Sequence, residues 1–400
     1  KALKEDARLA LEGLPWEYGD AAEMQRLSAK YAGADQGKVT RVFGANFIGR
    51  MSGKVVEAFV AKADLLAASP AYSDQSGVDW KTAAASAAKV LNHIGGVDGM
   101  DPTGWTWYCN VDDIEKLSPT ESPAEILWRG ERAKSLSLEE DNFPPTLYGN
   151  GRINPTQNLV DAFPMLNGYP VSHLSGEYDE NLPYANRDPR LEAYILYNGC
   201  KAGNTNKEIF TAADGTTNDA LNKVVGRSTR TGYYLRKLLR QDISLDPNAK
   251  ADQYHYTPRI RYTEIFLAYA EAANQAYGPQ DKGGNGYSAY DVVKKLRHRA
   301  GIGRDNGDAY LESIKNDQAK MAELIRNERR IELCFEGFRF WDLRRWKSNL
   351  TETAKGMNIS GTRYTPMEVD KRSFSEYMYY GPIPYSEVLK YDELKQNQGW

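Results

Sequence analysis

The strongest hydrophobic pattern in the chain lies between positions 321 and 335, where apolar residues recur at the spacing of an α-helix. At about 100° per residue, one face of this helix collects a row of side chains, two of them acidic. They are Met321, Leu324, Ile325, Glu328, Glu332 and Phe335. A carboxylate on an apolar face is costly to bury alone, so we expect Glu328 and Glu332 to lie beside cationic partners.

Arginines follow this helix within two turns and allow two interpretations of the acidic pair. In the first, acids and arginines form a structural ion network that contains Glu328, Glu332, Arg339 and Asp342. In the second, Glu328 and Glu332 are a pair of catalytic carboxyl groups. A general acid needs a raised pKa, which neighbouring guanidinium groups oppose, so the pattern favours the ion network.

A second helical pattern runs from Arg259 to Tyr277 and carries an apolar stripe on one face. The stripe is typical of core packing and consists of Tyr262, Ile265, Phe266, Tyr269 and Ala273. Glu264 and Glu271 are predicted to face elsewhere. A glycine-rich loop without the lysine of a phosphate-binding loop then leads to another helical pattern at 290–297. We expect these two helices to form a hairpin of the tetratricopeptide type.

The first 93 residues are also predicted to be helical. A short helix covers residues 1–15, and a longer one covers about 39–68 and ends before Pro70. Asp79 opens an alanine-rich helix that continues to about residue 93. Small residues let paired helices approach closely, so this region is expected to contain helix pairs.

The helical period is lost between residues 94 and 250. A short alternation predicts a strand at 125–130, whereas turn residues at 142–152 and polar residues at 200–230 predict loops. The chain is therefore predicted to be mainly α, with tetratricopeptide-like helix pairs packed against an irregular loop-rich region with a few short β-strands. The three segments are 1–93 (helical), 94–250 (irregular) and 251–400 (helical).

Composition and charge exclude several classes of function. The 51 basic and 54 acidic side chains leave a net charge of −3, so no nucleic-acid partner is predicted. The three cysteines form no CxxC motif and the four histidines form no HExxH motif, so we predict no metal site and no cofactor. No apolar run approaches the ~20 residues of a membrane-spanning helix.

Several motifs resemble those of the SusD/RagB family and occur in the family's order. Residues 328–346 read ERRIELCFEGFRFWDLRRW and resemble its C-terminal signature. Residues 154–168 read NPTQNLVDAFPMLNG and resemble its central element. DPRL at 188–191 and PIP at 382–384 match two further family motifs. The resemblance covers almost the whole chain, which is identified as a member of this family.

This resemblance implies a lipoprotein on the surface of the bacterial outer membrane that binds nutrients and performs no chemistry. The implied ligand is an oligosaccharide or another glycan, and the implied partner is a TonB-dependent transporter of the SusC type. It also implies a single SusD-like domain over residues 1–400. Family members carry a signal peptide, an anchoring cysteine and an N-terminal helical part before the point where this sequence begins, at Lys1. We therefore expect an N-terminally truncated chain that would reach the membrane only through the lipid anchor.

Two loops offer the groups that sugar binding needs, namely aromatic faces and a few fixed hydrogen bonds. One loop holds Tyr148, Asn150 and Arg152. The other, a weaker candidate, holds Trp105, Trp107 and Tyr108. Tyr148 is favoured because its loop is rich in glycine and turn residues. An alternative stays open, in which these aromatic rings only fix the irregular region to the helices.

Two other functions also stay open. A glycosidase that uses Glu328 and Glu332, or other paired carboxylates, predicts release of sugar from a polysaccharide. A tetratricopeptide adaptor predicts peptide binding in a helical groove, although the middle of the chain is too long and too irregular for a plain adaptor. The acidic loop at 176–180 has the side chains of a calcium site, but exposed acidic loops are usually only solvated, and calcium is not predicted.

Overall fold

The protein folds around helices, with short strands between them. The structure, a computed structural model, describes residues 2–31 and 35–400. About 40% of the residues are helical and 12% lie in strands, so the predicted mainly α fold is confirmed. No helix within these described ranges has the length and apolar character needed to cross a membrane.

The elements of the described ranges are numbered in chain order. The helices are α1 (Ala2–Gly13), α2 (Ala21–Lys30), α3 (Gln36–Phe43), α4 (Gly53–Ala68), α5 (Ser73–Ser76), α6 (Trp80–Asn92), α7 (Val111–Ile114), α8 (Ser137–Asn142), α9 (Gln157–Val160), α10 (Pro189–Tyr194), α11 (Tyr262–Tyr277), α12 (Ala289–Arg299), α13 (Ala309–Ile314), α14 (Gln318–Glu332), α15 (Phe338–Arg345) and α16 (Tyr385–Val388). The strands are β1 (Ile126–Ser135), β2 (Ile195–Leu196), β3 (Lys201–Ala202), β4 (Lys207–Glu208), β5 (Tyr234–Leu235), β6 (Gln253–Arg261), β7 (Ala354–Ser360) and β8 (Arg363–Asp370).

Helix α11 lies at the centre of the helical core and packs against α4, α6, α12 and α14. The sequence predicted one buried stripe on this helix, but its side chains are buried on every side because it has neighbours all round. Glu264 and Glu271, predicted to face elsewhere, are buried too. Glu264 pairs with Lys62 at 2.8 Å and Glu271 pairs with Arg345 at 2.6 Å, so both charges have partners.

The predicted helix at 39–68 is in fact two helices, because glycines interrupt it. Helix α3 ends at Phe43, and α4 begins only at Gly53. A Cβ at Gly44 would lie 2.4 Å from the carbonyl oxygen of Thr40, and Gly49 has φ +94°. Both positions therefore favour glycine, and neither continues a helix. Helix α2, which precedes them, was not predicted from the sequence.

Side chains at the N-terminal ends of two core helices cap their first turns. The Asp79 carboxylate accepts a hydrogen bond from the backbone N–H of Thr82 at 2.8 Å, and α6 begins at Trp80 as predicted. Ser288 and Asp291 form a reciprocal capping box at the start of α12. These local bonds fix the first turns of two core helices.

A long antiparallel ribbon of β1 and β6 joins segments that are far apart in the sequence. The register runs from Ile126 opposite Arg261 to Ser135 opposite Gln253. The strand predicted at 125–130 is confirmed and extends further. The predicted helix start at Arg259 is wrong, because residues 253–261 belong to β6 and pair with β1. The hairpin of β7 and β8 was not predicted either.

The irregular region has apolar clusters of its own. One cluster includes Trp107, Tyr108, Phe163 and Tyr194, and it reaches Ile331 at the end of α14. Another surrounds the paired strands β2 and β5 and includes Phe143 and Leu147. The region is therefore packed against the helices, as predicted, although it contains few regular elements.

Candidate ligand-binding cleft

The acidic pair of α14 lies inside a buried ion network. Glu328 pairs with Arg190 and Arg297, each at 2.8 Å. Glu332 pairs with Arg190 at 3.0 Å and with Arg299 at 3.3 Å. These arginines lie in α10 and α12. They are not the arginines that follow α14 in the sequence. The network therefore ties the irregular region to the helical core.

The charge state of the pair follows from these partners. Burial alone would raise the pKa of Glu332, but the adjacent guanidinium groups, led by Arg299 and Arg190, lower it to about 2. Burial opposes ionisation of Glu328 as well, and Arg190 and Arg297 lower its pKa. Neither side chain has exposed surface. Two ionised carboxylates without access to solvent are not placed to protonate a substrate, so Glu328 and Glu332 are not arranged as a catalytic pair.

Asp342 and Arg339 are placed very differently from each other. Asp342 accepts charge-assisted bonds from Arg329 at 2.8 Å and from Arg345 at 2.9 Å. Arg339 differs from the sequence prediction, because among the described residues it makes no hydrogen bond and no ion pair within 4 Å. Burial and the nearby Arg330 lower the pKa of Arg339 to about 10. It lines a separate pocket together with Arg330.

The loop at 105–108 is mostly buried. Trp107 and Tyr108 are 4% and 5% exposed, and Trp105 is half-buried against them. The Tyr108 hydroxyl donates to the carbonyl of Ala193 at 3.0 Å. The rings of Trp107 and Tyr108 therefore fix the irregular region to the core, and their remaining surface lines a cleft.

The other predicted loop, at 142–152, reaches the surface only in part, because Asn142 ends α8 and Phe143 and Leu147 are buried in an apolar cluster. Tyr148 is 50% exposed and has a left-handed backbone with φ 66°. Asn150 is half-buried, and its backbone N–H donates to the carbonyl of Glu140 at 2.9 Å. Arg152 is exposed and pairs with Asp141 at 3.3 Å. The structure thus places Arg152 beside the cleft that Asp141 lines, whereas Tyr148 faces a smaller pocket of about 240 Å³.

The cleft itself has a volume of about 610 Å³. One wall is the β1–β6 ribbon, and the others come from α8, the 105–108 loop and the start of α15. Its rings and aliphatic groups belong to Trp107, Tyr108, Leu138, Leu238, Tyr256 and Phe338. Its polar side chains include Glu131, Ser135, Ser137, Asp141, His255 and Glu264. An apolar cavity of this size with a few polar groups has the character of a small-molecule site.

Several residues of the cleft carry polar atoms that lack a partner. Among the residues that the structure describes, the buried indole nitrogen of Trp107, hydroxyl of Tyr256 and Oε2 atom of Glu264 have no hydrogen-bond partner. Buried polar groups are normally paired, since an unpaired one costs about 1–3 kcal/mol. These three atoms belong to residues that line one cleft, and a ligand with both donors and acceptors would pair with them only after the side chains move, because none of the three is open to solvent. Sugar hydroxyl groups have both.

Sequence reasoning missed His255 and Tyr256, which form the floor of the cleft on β6. His255 Nε2 lies 3.0 Å from Glu139 Oε1, and this contact orients the ring. The alternation of residues 253–261, QYHYTPRIR, is a strand signal that could have revealed them. The partner strand lies more than a hundred residues away, so the cleft between the two segments has no local signature.

No cluster of histidine, cysteine, aspartate and glutamate in the described ranges is suited to holding a metal ion. The acidic loop at 176–180 follows a short turn of 3-10 helix at Leu174–Gly176. Glu177 there has a left-handed backbone with φ 58°. The loop gives no support for a calcium site.

Comparison with known proteins agrees with this architecture. The chain is 33% identical over 85 residues to SusD-like protein P38 and 32% identical over 152 residues to SusD-like protein P2, both from Formosa agariphila. The matched segments cover 21% and 38% of this chain but only 16% and 26% of those relatives.

Solved structures match over nearly the whole chain. A SusD-like protein from Bacteroides fragilis superposes with a TM-score of 0.68 at 25% identity, covering 99% of this chain and 70% of its own. A SusD-like carbohydrate binding protein from the same species shares the fold, with a TM-score of 0.64 at 22% identity, covering 92% and 68%. The SusD family model matches residues 128–400. The chain therefore belongs to the SusD family.

Proposed function

We propose that this chain belongs to a cell-surface protein that binds oligosaccharides without cleaving them and delivers them to a TonB-dependent transporter of the SusC type. The observation that carries the proposal is the cleft at the β1–β6 ribbon, where Trp107, Tyr256 and Glu264 hold unpaired polar atoms beside aromatic walls. Pyranose rings present apolar faces and a rim of hydroxyl groups, which fits such walls and such atoms.

The proposal that the protein does not cleave its ligand is supported by the charge and placement of Glu328 and Glu332. Glycosidases hold two carboxyl groups on either side of the scissile bond, one of them with a raised pKa. Glu328 and Glu332 are ionised and enclosed by arginines, so they cannot serve as that pair. Membership of the SusD family supports binding without chemistry.

Delivery to a transporter and anchoring at the outer-membrane surface rest on the family alone. Protease treatment of intact cells that make the full-length protein tests the location, because a surface protein is digested while a periplasmic control is spared. Cross-linking in the same membranes tests the partner, and the expected product contains a TonB-dependent barrel.

Native gels cast with a panel of plant, microbial and host polysaccharides test the binding, with the same mixtures assayed for released sugar. We expect one class of glycan to retard the protein and no sugar to be released. Release of sugar would overturn the noncatalytic account. No retardation by any glycan, with peptides bound instead, would favour the adaptor alternative.

A further inference from the structure

A second pocket lies between α14 and α15 and has a volume of about 410 Å³. It is separate from the ligand-binding cleft, with which it shares no lining residue. Its cationic side chains are Arg326, Arg330 and Arg339, and its acidic ones are Glu323 and Glu352. The remaining wall comes from Asn327, Leu343, Trp346, Ser348 and Asn349.

Arg330 and Arg339 differ from the buried arginines around them. Arg190, Arg297 and Arg345 each contact carboxylates at 2.6–3.0 Å. Within the described part of the chain, the guanidinium groups of Arg330 and Arg339 make no hydrogen bond and no ion pair within 4 Å, and both residues are half-buried. Two guanidinium groups therefore share one pocket without a carboxylate between them.

Neighbouring charges also disfavour the positive charges of these two arginines. Burial lowers the pKa of Arg339, and the neighbouring Arg330 and Arg372 lower it further. Burial lowers the pKa of Arg330 too. Glu352 acts on both arginines in the opposite direction but is exposed and lies beyond ion-pair distance. An anion placed between the two arginines would remove the repulsion that the fold maintains there.

We propose that this pocket binds an oxyanion, with the guanidinium groups of Arg330 and Arg339 as its principal ligands. A planar guanidinium group donates two parallel hydrogen bonds to a carboxylate, sulfate or phosphate, and Arg is favoured for this reason where such groups are recognised. Arg326, which lies 5.0 Å from the centre of the Trp346 ring, adds a third positive charge to the lining of the pocket. The inference does not rest on glycan binding in the other cleft.

The shared chemistry is the oxyanion, and its source is either a free inorganic ion or the acidic group of a sugar. Sodium sulfate and sodium glucuronate are therefore titrated separately, with sodium chloride at equal ionic strength and neutral glucose as controls. We expect the thermal unfolding midpoint to rise with the logarithm of the concentration of at least one oxyanion, above the chloride control. A response to sulfate alone indicates the inorganic ion, whereas a stronger response to glucuronate indicates an acidic sugar.

Substitutions identify the pocket. Arg330→Gln and Arg339→Gln should each weaken the affinity by about tenfold or more, since each loses a charged hydrogen-bond donor. Lys347→Gln removes an exposed positive charge nearby that does not line the pocket, and the affinity should stay unchanged. Glu352→Gln should strengthen binding, because it removes the carboxylate that competes with the added oxyanion for both arginines.

Stability without added oxyanion separates a binding role from a structural one. If the pocket binds anions, Arg339→Gln should unfold at the same or a higher temperature than the unchanged protein, because repulsion between two half-buried positive charges is relieved. Two results together would overturn the proposal. The first is a lower thermal unfolding midpoint in Arg339→Gln than in the unchanged protein, and the second is an oxyanion response of the same size in Arg330→Gln and Glu352→Gln. An unchanged protein that responds to sulfate and glucuronate no more than to chloride would also overturn it.

Discussion

Arg190 and Glu332 are 142 residues apart in the chain, yet their side chains meet at 3.0 Å with no exposed surface on either. Arg190 lies in the first turn of α10 in the irregular region, and Glu332 ends α14 in the helical core. The same guanidinium group also contacts Asp188 and Glu328. One side chain thus links the region that forms the cleft to the helices that support it.

Removal of the Arg190 guanidinium group should destabilise the folded protein strongly. Arg190→Met leaves three buried carboxylates with fewer partners, and we expect the free energy of unfolding to fall by about 3–5 kcal/mol, as for other broken buried ion pairs. Denaturant unfolding followed by circular dichroism measures the change. Arg8→Met is the control, because its pairs with Glu5 and Glu12 are exposed, and it should have no measurable effect. Equal effects of the two substitutions would contradict the account.

The network should also make the protein sensitive to acid. The pKa of Glu332 is about 2 in the folded chain, against an ordinary value of 4.5. Its contribution to stability is therefore complete above about pH 4.5 and is lost as the pH falls towards 2. Unfolding midpoints measured across this range should decline, and the decline should be shallower in Glu332→Gln. Glu5→Gln, which changes an exposed acid, should leave the slope unaltered, and an equal slope in Glu332→Gln would count against the assignment.

Gly168 lies against the same network. It has φ +94°, and a Cβ there would lie 2.4 Å from Asp308 Oδ1 and 2.9 Å from Arg297 Nη2. Gly168→Ala should cost more than the roughly 1–2 kcal/mol of a left-handed alanine, because it also displaces a buried ion pair. Gly284→Ala is a matched control, with φ +83° and no neighbour within 4 Å. Similar losses of stability in the two variants would show that the network does not contact Gly168.

The Tyr148 loop can be tested without unfolding the protein. Because Tyr148 has a left-handed backbone and a half-exposed ring, Tyr148→Gly should preserve or slightly increase stability. Glycan affinity measured on this variant then reports the ring alone. An unchanged affinity would remove Tyr148 from the ligand site, and a weakened one would extend the site beyond the cleft to the 240 Å³ pocket.

Much of the helical part could be predicted because its signals are local. Asp79 and Ser288 cap helices with bonds to residues three positions on, and such bonds depend only on nearby sequence. The apolar face of α14 and its acids were equally readable. Their partners were not, because Arg190 and Arg297 reach Glu328 only through the folding of distant segments.

The cleft was predictable only in part for the same reason. Aromatic loops could be recognised, and Trp107 and Tyr108 do line the cleft, but their deep burial depends on the cluster around Tyr194. His255 and Tyr256 became part of the cleft when β6 paired with β1. The prediction treated their neighbour Arg259 as a helix start, since the helix pattern that follows is strong enough to mask the strand before it.

The central claim is that glycan binds in the cleft beside the β1–β6 ribbon. The most direct test is calorimetric titration. The glycan that retards the protein in gels is titrated into the unchanged protein, into Tyr256→Phe and into Tyr254→Phe. Tyr256→Phe removes only the unpaired hydroxyl, and we expect affinity to fall about two- to tenfold, as for a lost neutral hydrogen bond. Tyr254 does not line the cleft and packs against Arg132 at 3.7 Å, so Tyr254→Phe should bind as the unchanged protein does. Equal affinity in all three proteins would contradict binding at this site.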